Sequence, residues 1–189
     1  MLTKIKNELI YLSTLRRILS SLKSINNDES SIITKKIVGY ADSSPDSVAI
    51  YYDDRETTYR ELINGANQYS HWFLDNGLQK GDVVALLMEN RPEFLMAWIG
   101  IAQVGGTSAL INTNLTGHPL NHSLSISGAS KLILGKELIS NFETTDDTIK
   151  GSFQVWVEGD INKQNYNNLR STLENLDNTI LFTIKKKGI

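Results

Sequence analysis

The chain has 189 residues, enough to bury one hydrophobic core, and its 40% apolar and 21% charged residues are typical of a globular protein. The formal net charge of −2 provides no broad basic surface, which argues against a nucleic-acid partner. The sequence has no cysteine, so a disulfide framework and a cysteine zinc site are both excluded. No run of residues approaches the roughly 20 apolar positions that a membrane-spanning helix needs.

The first 25 residues differ in charge from the rest of the chain. They hold five basic residues and one acidic residue, a net charge of +4 (5 − 1), so the remainder carries −6 (−2 − 4). Leucine and isoleucine recur there at helical spacing, which predicts one apolar stripe. We expect residues 1–31 to form a basic amphipathic helix and a polar linker. Three alternatives are open for residues 1–25: packing on the protein itself, peripheral contact with a membrane, and targeting to an organelle.

A helix is predicted over residues 32–40, followed by a turn-rich break at 41–46. The β-prone residues 48–52 and a turn at 53–55 predict a short hairpin that returns through 56–58.

The hairpin leads directly into a second predicted helix. Thr58 is its expected N-cap, and Glu61 is the expected capping-box partner three residues later. The helix is expected to end near Asn76–Gly77, where glycine suits a left-handed cap. One apolar face is predicted for it, and that face comprises Leu62, Ala66, Tyr69 and Phe73.

The following part of the chain alternates between strand-like and helix-like segments. An apolar run over 83–88 predicts a strand that is covered on both faces, as in a parallel sheet. A helix is expected from Pro92 to about Val104. Residues 32–189 are therefore predicted to be an α/β unit with a largely parallel sheet flanked by helices. The remaining predicted strands are 107–111, 131–134 and 153–157, and the remaining predicted helices are 119–127 and 165–176.

Two histidines and two pairs of aspartates have spacings that could serve chemistry. His118 and His122 could present two imidazoles on one helix face, but the sequence offers no obvious third metal ligand. His118 also precedes a proline, which predicts a position outside the helix. The pairs Asp53–Asp54 and Asp146–Asp147 lie in turn-like settings, where adjacent carboxylates do not share a face. We therefore predict structural or surface roles for all of them.

Other polar residues also have structural interpretations. Tyr59 and Glu61 are explained by packing and helix capping, and Asn112 and Asn114 by turns in which asparagine bonds its own backbone. Residues 135–137 do not form a phosphate-binding P-loop, since the upstream glycine is missing and Glu137 follows the lysine. We assign no catalytic, cofactor-binding or metal residue to this chain.

Two segments resemble the adenylate-forming enzymes. Residues 57–62 (TTYREL) resemble the Thr-Tyr-x-Glu-Leu motif near the start of these enzymes, and residues 77–85 are similar to the turn and strand that follow it. Residues 88–94 (MENRPEF) and 109–115 (ALINTNL) narrow the resemblance to the fatty-acid transport protein family of long-chain and very-long-chain fatty acyl-CoA synthetases. The resemblance covers residues 44–135.

Three further positions bear on the subgroup within that family. His122 fits the family, whose members often have a histidine shortly after the asparagine-rich segment. Ser123 stands where animal members often have cysteine. Thr116 and Gly117 replace basic residues and resemble bacterial members more closely.

The resemblance implies what an intact member needs. Such an enzyme uses ATP, Mg²⁺ and CoA, takes a fatty acid as substrate, and is cytoplasmic or peripheral to a membrane. Its chemistry depends on a Thr-Ser-Gly-Thr-Thr-Gly-x-Pro-Lys phosphate loop, a magnesium site and a catalytic lysine of a small C-terminal domain. Since these motifs are missing from the 189 residues, we expect an incomplete N-terminal part of the large domain, inactive alone.

Residues 179–184 resemble the strand that leads into that loop, and we expect a premature stop or frameshift after it. One alternative is a non-catalytic binding or membrane-docking module that pairs with a separately encoded remainder. Another is a crotonobetaine- or bile-acid-type CoA ligase.

Overall fold

The computed structural model describes residues 13, 14, 16, 32–161 and 166–179. The chain divides into two compact units, 1–33 and 34–189, and the sheet belongs to the second. The predicted amphipathic helix of residues 1–25 lies outside the described residues, apart from Ser13, Thr14 and Arg16, which are helical and exposed. The predicted strand over 179–184 also lies outside them except for its first residue.

A helix and a hairpin precede the sheet. Helix α1 covers Ile32–Ser43, three residues longer than predicted, so the break that follows it is correspondingly shorter. Strands β1 (Val48–Tyr52) and β2 (Arg55–Thr58) pair antiparallel, which confirms the predicted hairpin. Asp53 in the turn has a φ of 49°, a left-handed conformation that aspartate adopts more readily than most residues.

Helix α2 (Tyr59–Asp75) begins with the predicted capping box. The backbone N–H of Glu61 donates to Thr58 Oγ1 at 3.2 Å, and the Thr58 N–H donates to Glu61 Oε2 at 2.8 Å. The helix ends before Gly77, whose φ of 75° confirms the predicted left-handed glycine. The predicted apolar face is also confirmed, because all four of its residues are buried.

Within the described residues, five parallel strands form the main sheet, in the order β4-β3-β5-β6-β7. The chain adds β4 on one side of β3 and then crosses to add β5 on the other side. This confirms the predicted α/β class with a largely parallel sheet. The strands are β3 (Val83–Leu87), β4 (Thr107–Leu110), β5 (Lys131–Gly135), β6 (Gln154–Glu158) and β7 (Asn167–Asn168).

Two long helices cross between the first three strands. Helix α3 (Pro92–Gln103) begins at the predicted proline, and helix α4 covers Gly117–Ile126. The prediction that His118 lies outside α4 is wrong, since the helix starts two residues before Pro119. Proline is tolerated as the third helical residue because the N–H groups of the first turn have no intrahelical acceptor.

The predicted helix over 165–176 is wrong in its extent. Residues 167–168 form strand β7, and helix α7 covers only Leu169–Leu173. Asn168 Oδ1 accepts from the Ser171 N–H at 3.1 Å and so caps the helix, a role that asparagine prefers over a helix interior. The sequence also did not predict α5 (Ile139–Glu143) and α6 (Asp147–Ser152), which are too short to show helical periodicity.

The sheet has a core on each side. The α2 face, the side on which α2 and α3 pack, is rich in aromatic residues, and Trp72 and Trp156 meet edge to face there with centroids 4.8 Å apart. The α4 face, the side on which α4 and α5 pack, is mainly aliphatic and includes Leu134 and Phe142. Alternate side chains of the central strands point to opposite faces, as a pleated strand requires.

Helices α2 and α3 approach closely at a glycine. A Cβ atom on Gly100 would lie 2.7 Å from Tyr69 Cβ and 2.9 Å from the Ala66 carbonyl oxygen. Only glycine therefore fits this crossing without movement of one helix.

A set of polar contacts, which we call the α2 latch, ties the segment after α7 to helix α2. Asn67 Nδ2 donates to the Asn178 carbonyl oxygen at 2.9 Å, and Asn67 Oδ1 accepts from Gln103 Nε2 at 3.2 Å. His71 Nε2 lies 3.1 Å from the Thr179 carbonyl oxygen. Asn67 is 1% exposed, so the latch satisfies amide groups that would otherwise be buried without partners.

Candidate functional site

The carboxyl ends of the central strands bring charged residues together where the strand order reverses. In open parallel sheets, ligands bind in the crevice outside these ends, at the point of reversal. Here that point lies between β3 and β5. Arg91 and Glu93 follow β3, Glu137 follows β5, and Glu158 ends β6. We call these four residues the Arg91 cluster.

Arg91 lies at the centre of this cluster and contacts all three carboxylates. Its Nη1 is 3.0 Å from Glu93 Oε2 and 3.8 Å from Glu158 Oε1, and its Nε is 3.5 Å from Glu137 Oε1. Its Nη2 donates to the Glu158 carbonyl oxygen at 3.1 Å. One guanidinium group thus joins the ends of three strands.

The hairpin contributes a second cation to the cluster. Arg55 Nη1 donates to Glu93 Oε1 at 2.8 Å, so Glu93 is held between two guanidinium groups. Burial alone would raise the pKa of Glu93, but a backbone hydrogen bond and the two arginines outweigh it and lower that pKa. Glu93 is therefore a stable anion.

Burial has a different result at Glu158, whose side chain is only 2% exposed. Loss of solvent raises the pKa of Glu158 above its ordinary value, although Arg91 acts in the opposite direction. Burial would also lower the pKa of Arg91, but the carboxylates of Glu137, Glu158 and Glu93 together raise it. The cluster thus combines a firmly charged arginine with a carboxylate that is costly to ionise.

The Arg91 cluster does not fit a nucleotide polyphosphate. With Arg55 included, it has two cations and three carboxylates, a formal charge of −1 (2 − 3). The backbone N–H of Glu89, which a phosphate could have used, donates to Glu137 Oε1 at 3.0 Å. Negative charge at this edge repels phosphate, so we derive no phosphoryl step from these residues.

A cavity of about 390 Å³ lies beside the cluster on the α2 face. Tyr69 and Glu158 both line it, and each has a buried polar atom, Tyr69 Oη and Glu158 Oε2, for which the described residues provide no hydrogen-bond partner. Burial raises the pKa of Tyr69 well above its ordinary value, so its hydroxyl keeps its proton.

Several residues considered from the sequence have the structural roles that were predicted. Tyr59 stacks on Tyr40 with ring centroids 5.6 Å apart, and Glu61 forms the capping box. The Asn114 N–H donates to Asn112 Oδ1 at 2.9 Å, which confirms the turn interpretation of this pair.

The histidines and aspartates are not among the residues that pair with Arg91 in the described part of the chain. His118 and His122 are exposed on α4, and the described residues contain no group of three potential metal-ligating side chains. Asp53 occupies the hairpin turn. Asp146 caps α6 by accepting the Ile149 N–H at 2.9 Å.

The Arg91 cluster is not predicted from the sequence. There, Arg91 belongs only to a family motif, and Glu137 is only a residue that is incompatible with a P-loop. One signal was available: a charged residue follows or ends three of the apolar runs predicted as strands. Because the carboxyl ends of parallel strands meet at one edge of a sheet, these residues could have been expected to lie together.

Comparison with known proteins is consistent with this fold. Residues 39–178 match the family described as "AMP-binding enzyme". The chain is 30% identical over 125 residues to human long-chain fatty acid transport protein 6, covering 66% of this chain and 20% of that protein. It is 40% identical over 73 residues to the medium/long-chain-fatty-acid–CoA/3-oxocholest-4-en-26-oate–CoA ligase of Mycobacterium tuberculosis, covering 39% of this chain and 13% of that protein.

A solved structure shares the fold. The crystal structure of the anthranilate CoA ligase AuaEII in complex with anthranoyl-AMP superposes with a TM-score of 0.68 at 23% identity, over 76% of this chain and 28% of that one. The chain thus spans about a fifth of the length of the human transport protein that it matches. Since the family match covers most of the described residues, the chain belongs to the AMP-binding enzyme family, within the adenylate-forming superfamily and with fatty acid transport proteins among its relatives.

Proposed function

We propose that this chain provides the N-terminal α/β part of an ATP-dependent fatty acid–CoA ligase. Such an enzyme joins a fatty acid to AMP and then transfers the acyl group to CoA in the cytoplasm. The observation that carries the proposal is the family match over residues 39–178, which includes both the TTYREL segment at the start of α2 and the MENRPEF segment that supplies Arg91.

In such an enzyme, the Arg91 cluster would have a structural role. The Arg91 cluster fixes the loops that leave three strands, because each loop contributes a group held within 3.8 Å of one guanidinium. ATP, Mg²⁺ and CoA would be held by segments outside these 189 residues. We propose that the 189 residues alone form no acyl-adenylate, since their crevice is anionic and their sequence contains no phosphate loop.

A segment exchange tests the proposal. Residues 39–178 would replace the matching segment of an intact fatty acid–CoA ligase, and palmitoyl-CoA formation would be measured beside the unmodified ligase and the 189-residue chain. We expect the exchanged enzyme to keep activity within about tenfold of its host, roughly 1.4 kcal/mol in barrier height, and the 189-residue chain to release no pyrophosphate from ATP and palmitate. A folded exchanged enzyme that binds ATP but makes no acyl-CoA would contradict the proposal.

A second substrate class is a bulky carboxylic acid of the steroid or bile-acid type, with crotonobetaine as a smaller alternative. The observation that favours a steroid acid is the name of the mycobacterial relative. The exchanged enzyme also tests this alternative, because it differs from its host only in this segment. An increase in the ratio of kcat/KM for cholestenoate to that for palmitate, relative to the host, would support it.

We also propose that residues 1–25 bind anionic membranes, because their net charge of +4 accompanies an apolar stripe. Within the described part of the chain, no helix is both long and apolar enough to cross a bilayer. Flotation with phosphatidylserine vesicles at low salt tests this second role. Equal flotation of the full chain and of a version starting at Asn26 would exclude it.

A further inference from the structure

A chain of hydrogen bonds runs from the crossing of α2 and α3 to the segment after α7. The Ser70 hydroxyl on α2 donates to Gln103 Oε1 at the end of α3. Gln103 Nε2 donates to Asn67 Oδ1 at 3.2 Å, and Asn67 Nδ2 donates to the Asn178 carbonyl oxygen at 2.9 Å. Ser70 is 0% and Asn67 1% exposed, so these bonds form largely out of contact with water. The chain extends the α2 latch into the helix crossing.

The last acceptor fixes the direction of every bond in this chain. A backbone carbonyl group can only accept, so Asn67 must present its Nδ2 to Asn178 and its Oδ1 to Gln103. Gln103 must then present its Nε2 to Asn67 and its Oε1 to Ser70. Ser70 completes the chain, because its hydroxyl supplies a donor to that oxygen. Gln103 therefore determines which atom of the Asn67 amide faces the segment after α7.

The main chain at residues 177–179 is held from two sides. On one side, α2 contacts two consecutive carbonyl groups, those of Asn178 and Thr179, the second at 3.1 Å from His71 Nε2. On the other side, the Thr179 N–H donates to Asp177 Oδ1 at 2.9 Å and the Thr179 hydroxyl donates to Asp177 Oδ2 at 2.8 Å. The contacts from α2 reach main-chain atoms, so they do not depend on which side chains stand at 178 and 179.

We propose that Asn67 is a positioning residue of the ligase. Oriented by Gln103 and Ser70, it fixes the main chain at residue 178 on α2 and thereby places the ATP-holding polypeptide that follows the latch. This inference rests on the proposed function, in which ATP is held outside these 189 residues. If the latched arrangement is only partly populated, the apparent affinity for ATP falls by the fraction that is latched.

The substitution Gln103→Glu reverses the chain while the shape of the side chain is almost unchanged. A carboxylate only accepts, so Ser70 and Asn67 would both donate to it, and Asn67 Oδ1 would face the Asn178 carbonyl oxygen. Two acceptors without a proton between them repel, which should release residue 178 from α2. Gln79→Glu is the matched control, because it makes the same change of charge at an exposed residue between α2 and β3.

The first measurement uses the 189-residue chain labelled with ¹⁵N. NMR relaxation gives the order parameters of the Asn178 and Thr179 amides at pH 7. We expect values of about 0.85 in the parent and in Gln79→Glu, and values below about 0.6 in Gln103→Glu. Circular dichroism establishes that each variant is folded. Unchanged order parameters in folded Gln103→Glu would overturn the proposal.

A second variant decides the matter if Gln103→Glu does not fold. Gln103→Met removes the donor and the acceptor without adding a charge, and methionine has nearly the same length as glutamine. Asn67 can still donate to Asn178 in this variant, but nothing orients its amide. We therefore expect order parameters between those of the parent and about 0.6, and parental values would overturn the proposal.

The same substitutions in the exchanged enzyme separate positioning from stability. We expect Gln103→Glu to raise KM for ATP about tenfold, while KM for palmitate and kcat at saturating ATP stay within about twofold. Loss of folded enzyme alone would lower kcat and leave both KM values unchanged, and that result would overturn the positioning role. Gln79→Glu should change none of the three constants.

Failure of this inference and failure of the proposed function are distinguishable. An exchanged enzyme that is folded but inactive before any substitution would overturn the proposed function and the positioning role together, whereas the order parameters still decide whether Asn67 holds residue 178. An active exchanged enzyme whose KM for ATP is unchanged by Gln103→Glu would overturn the positioning role alone.

Discussion

The two faces of the sheet are both covered by helices, but the side chains buried on them differ in polarity. On the α4 face, the buried cluster consists of apolar side chains such as Leu120, Leu134 and Phe142. On the α2 face, large aromatic residues are interleaved with Asn67, Ser70 and Glu158. Trp72 Nε1, Tyr69 Oη and Glu158 Oε2 are buried, and the described residues provide no hydrogen-bond partner for any of these three atoms. The α4 face is therefore organised for stability, whereas the α2 face gives up some stability to keep polar groups in place.

The largest difference between the faces is expected from deletion of a buried side chain. Leu134→Ala should lower the free energy of unfolding by about 4 kcal/mol, because Leu134 is fully buried in the apolar α4 face. Met96→Ala should cost only about 2 kcal/mol, because Met96 already borders the cavity on the α2 face. Urea unfolding of both variants measures the difference. Equal costs would mean that the cavity does not weaken packing on the α2 face.

We expect the next largest change in stability from a substitution where α2 and α3 approach closely. Gly100→Ala should destabilise the protein by about 2 kcal/mol, since the new Cβ would meet Tyr69 Cβ at 2.7 Å and a backbone oxygen at 2.9 Å. Gly39→Ala is the matched control, because a Cβ there meets nothing within 4 Å and the residue is exposed in helix α1. We expect the control to gain about 0.5–1 kcal/mol. The same sign for both variants, measured by thermal unfolding, would contradict the tight crossing.

Glu158 tests whether the α2 face gives up stability for a polar group. The folded pKa of Glu158 is raised, so the folded state binds its proton more readily than the unfolded state does. Its contribution to stability is therefore lost as pH rises from the ordinary glutamate range through the raised folded pKa. Glu158→Gln should stabilise the protein by about 1 kcal/mol at pH 7, and this gain should vanish near pH 4. A variant less stable than the parent at pH 7 would show that the charge itself is stabilising.

We expect the smallest change in the free energy of unfolding from a substitution at Glu61, and its dependence on pH should be opposite to that at Glu158. Hydrogen bonds from the Thr58 backbone and side chain lower the pKa of Glu61, so its contribution is present at neutral pH and lost as pH falls through the lowered pKa. Glu61→Gln keeps the capping geometry but removes the negative charge from the start of α2, which should cost about 0.3 kcal/mol at pH 7. Urea unfolding from pH 3 to pH 7 measures this change. A gain at pH 7 would contradict the role of the charge.

Local signals in the sequence predicted most of the fold. The capping box at Thr58, the proline at the start of α3 and the continuous apolar run of β3 each depend on neighbours within a few residues. The predicted starts of α4 and of the helix over 165–176 were wrong because proline and asparagine act differently at the beginning of a helix than in its interior. Helices α5 and α6 lack the length at which periodicity becomes visible.

The candidate site was harder to predict because its parts are distant in sequence. Arg91 and Glu158 are 67 positions apart and meet only through the order of parallel strands. The pairing of β3 with β5 and of β5 with β6 depends on tertiary packing, which a single sequence does not reveal.

The α2 latch has a kinetic consequence. Asn67 and Asn178 are 111 positions apart, and His71 and Thr179 are 108 apart, so each contact closes a loop that includes nearly the whole sheet. Closing so long a loop is entropically costly until the intervening strands have paired. We therefore expect the segment after α7 to dock last during folding and to be the first part of the described sheet unit to detach. During synthesis on a ribosome, docking of this segment on α2 would complete the folding of the sheet unit. Any polypeptide that follows would then begin at a residue that is held against α2.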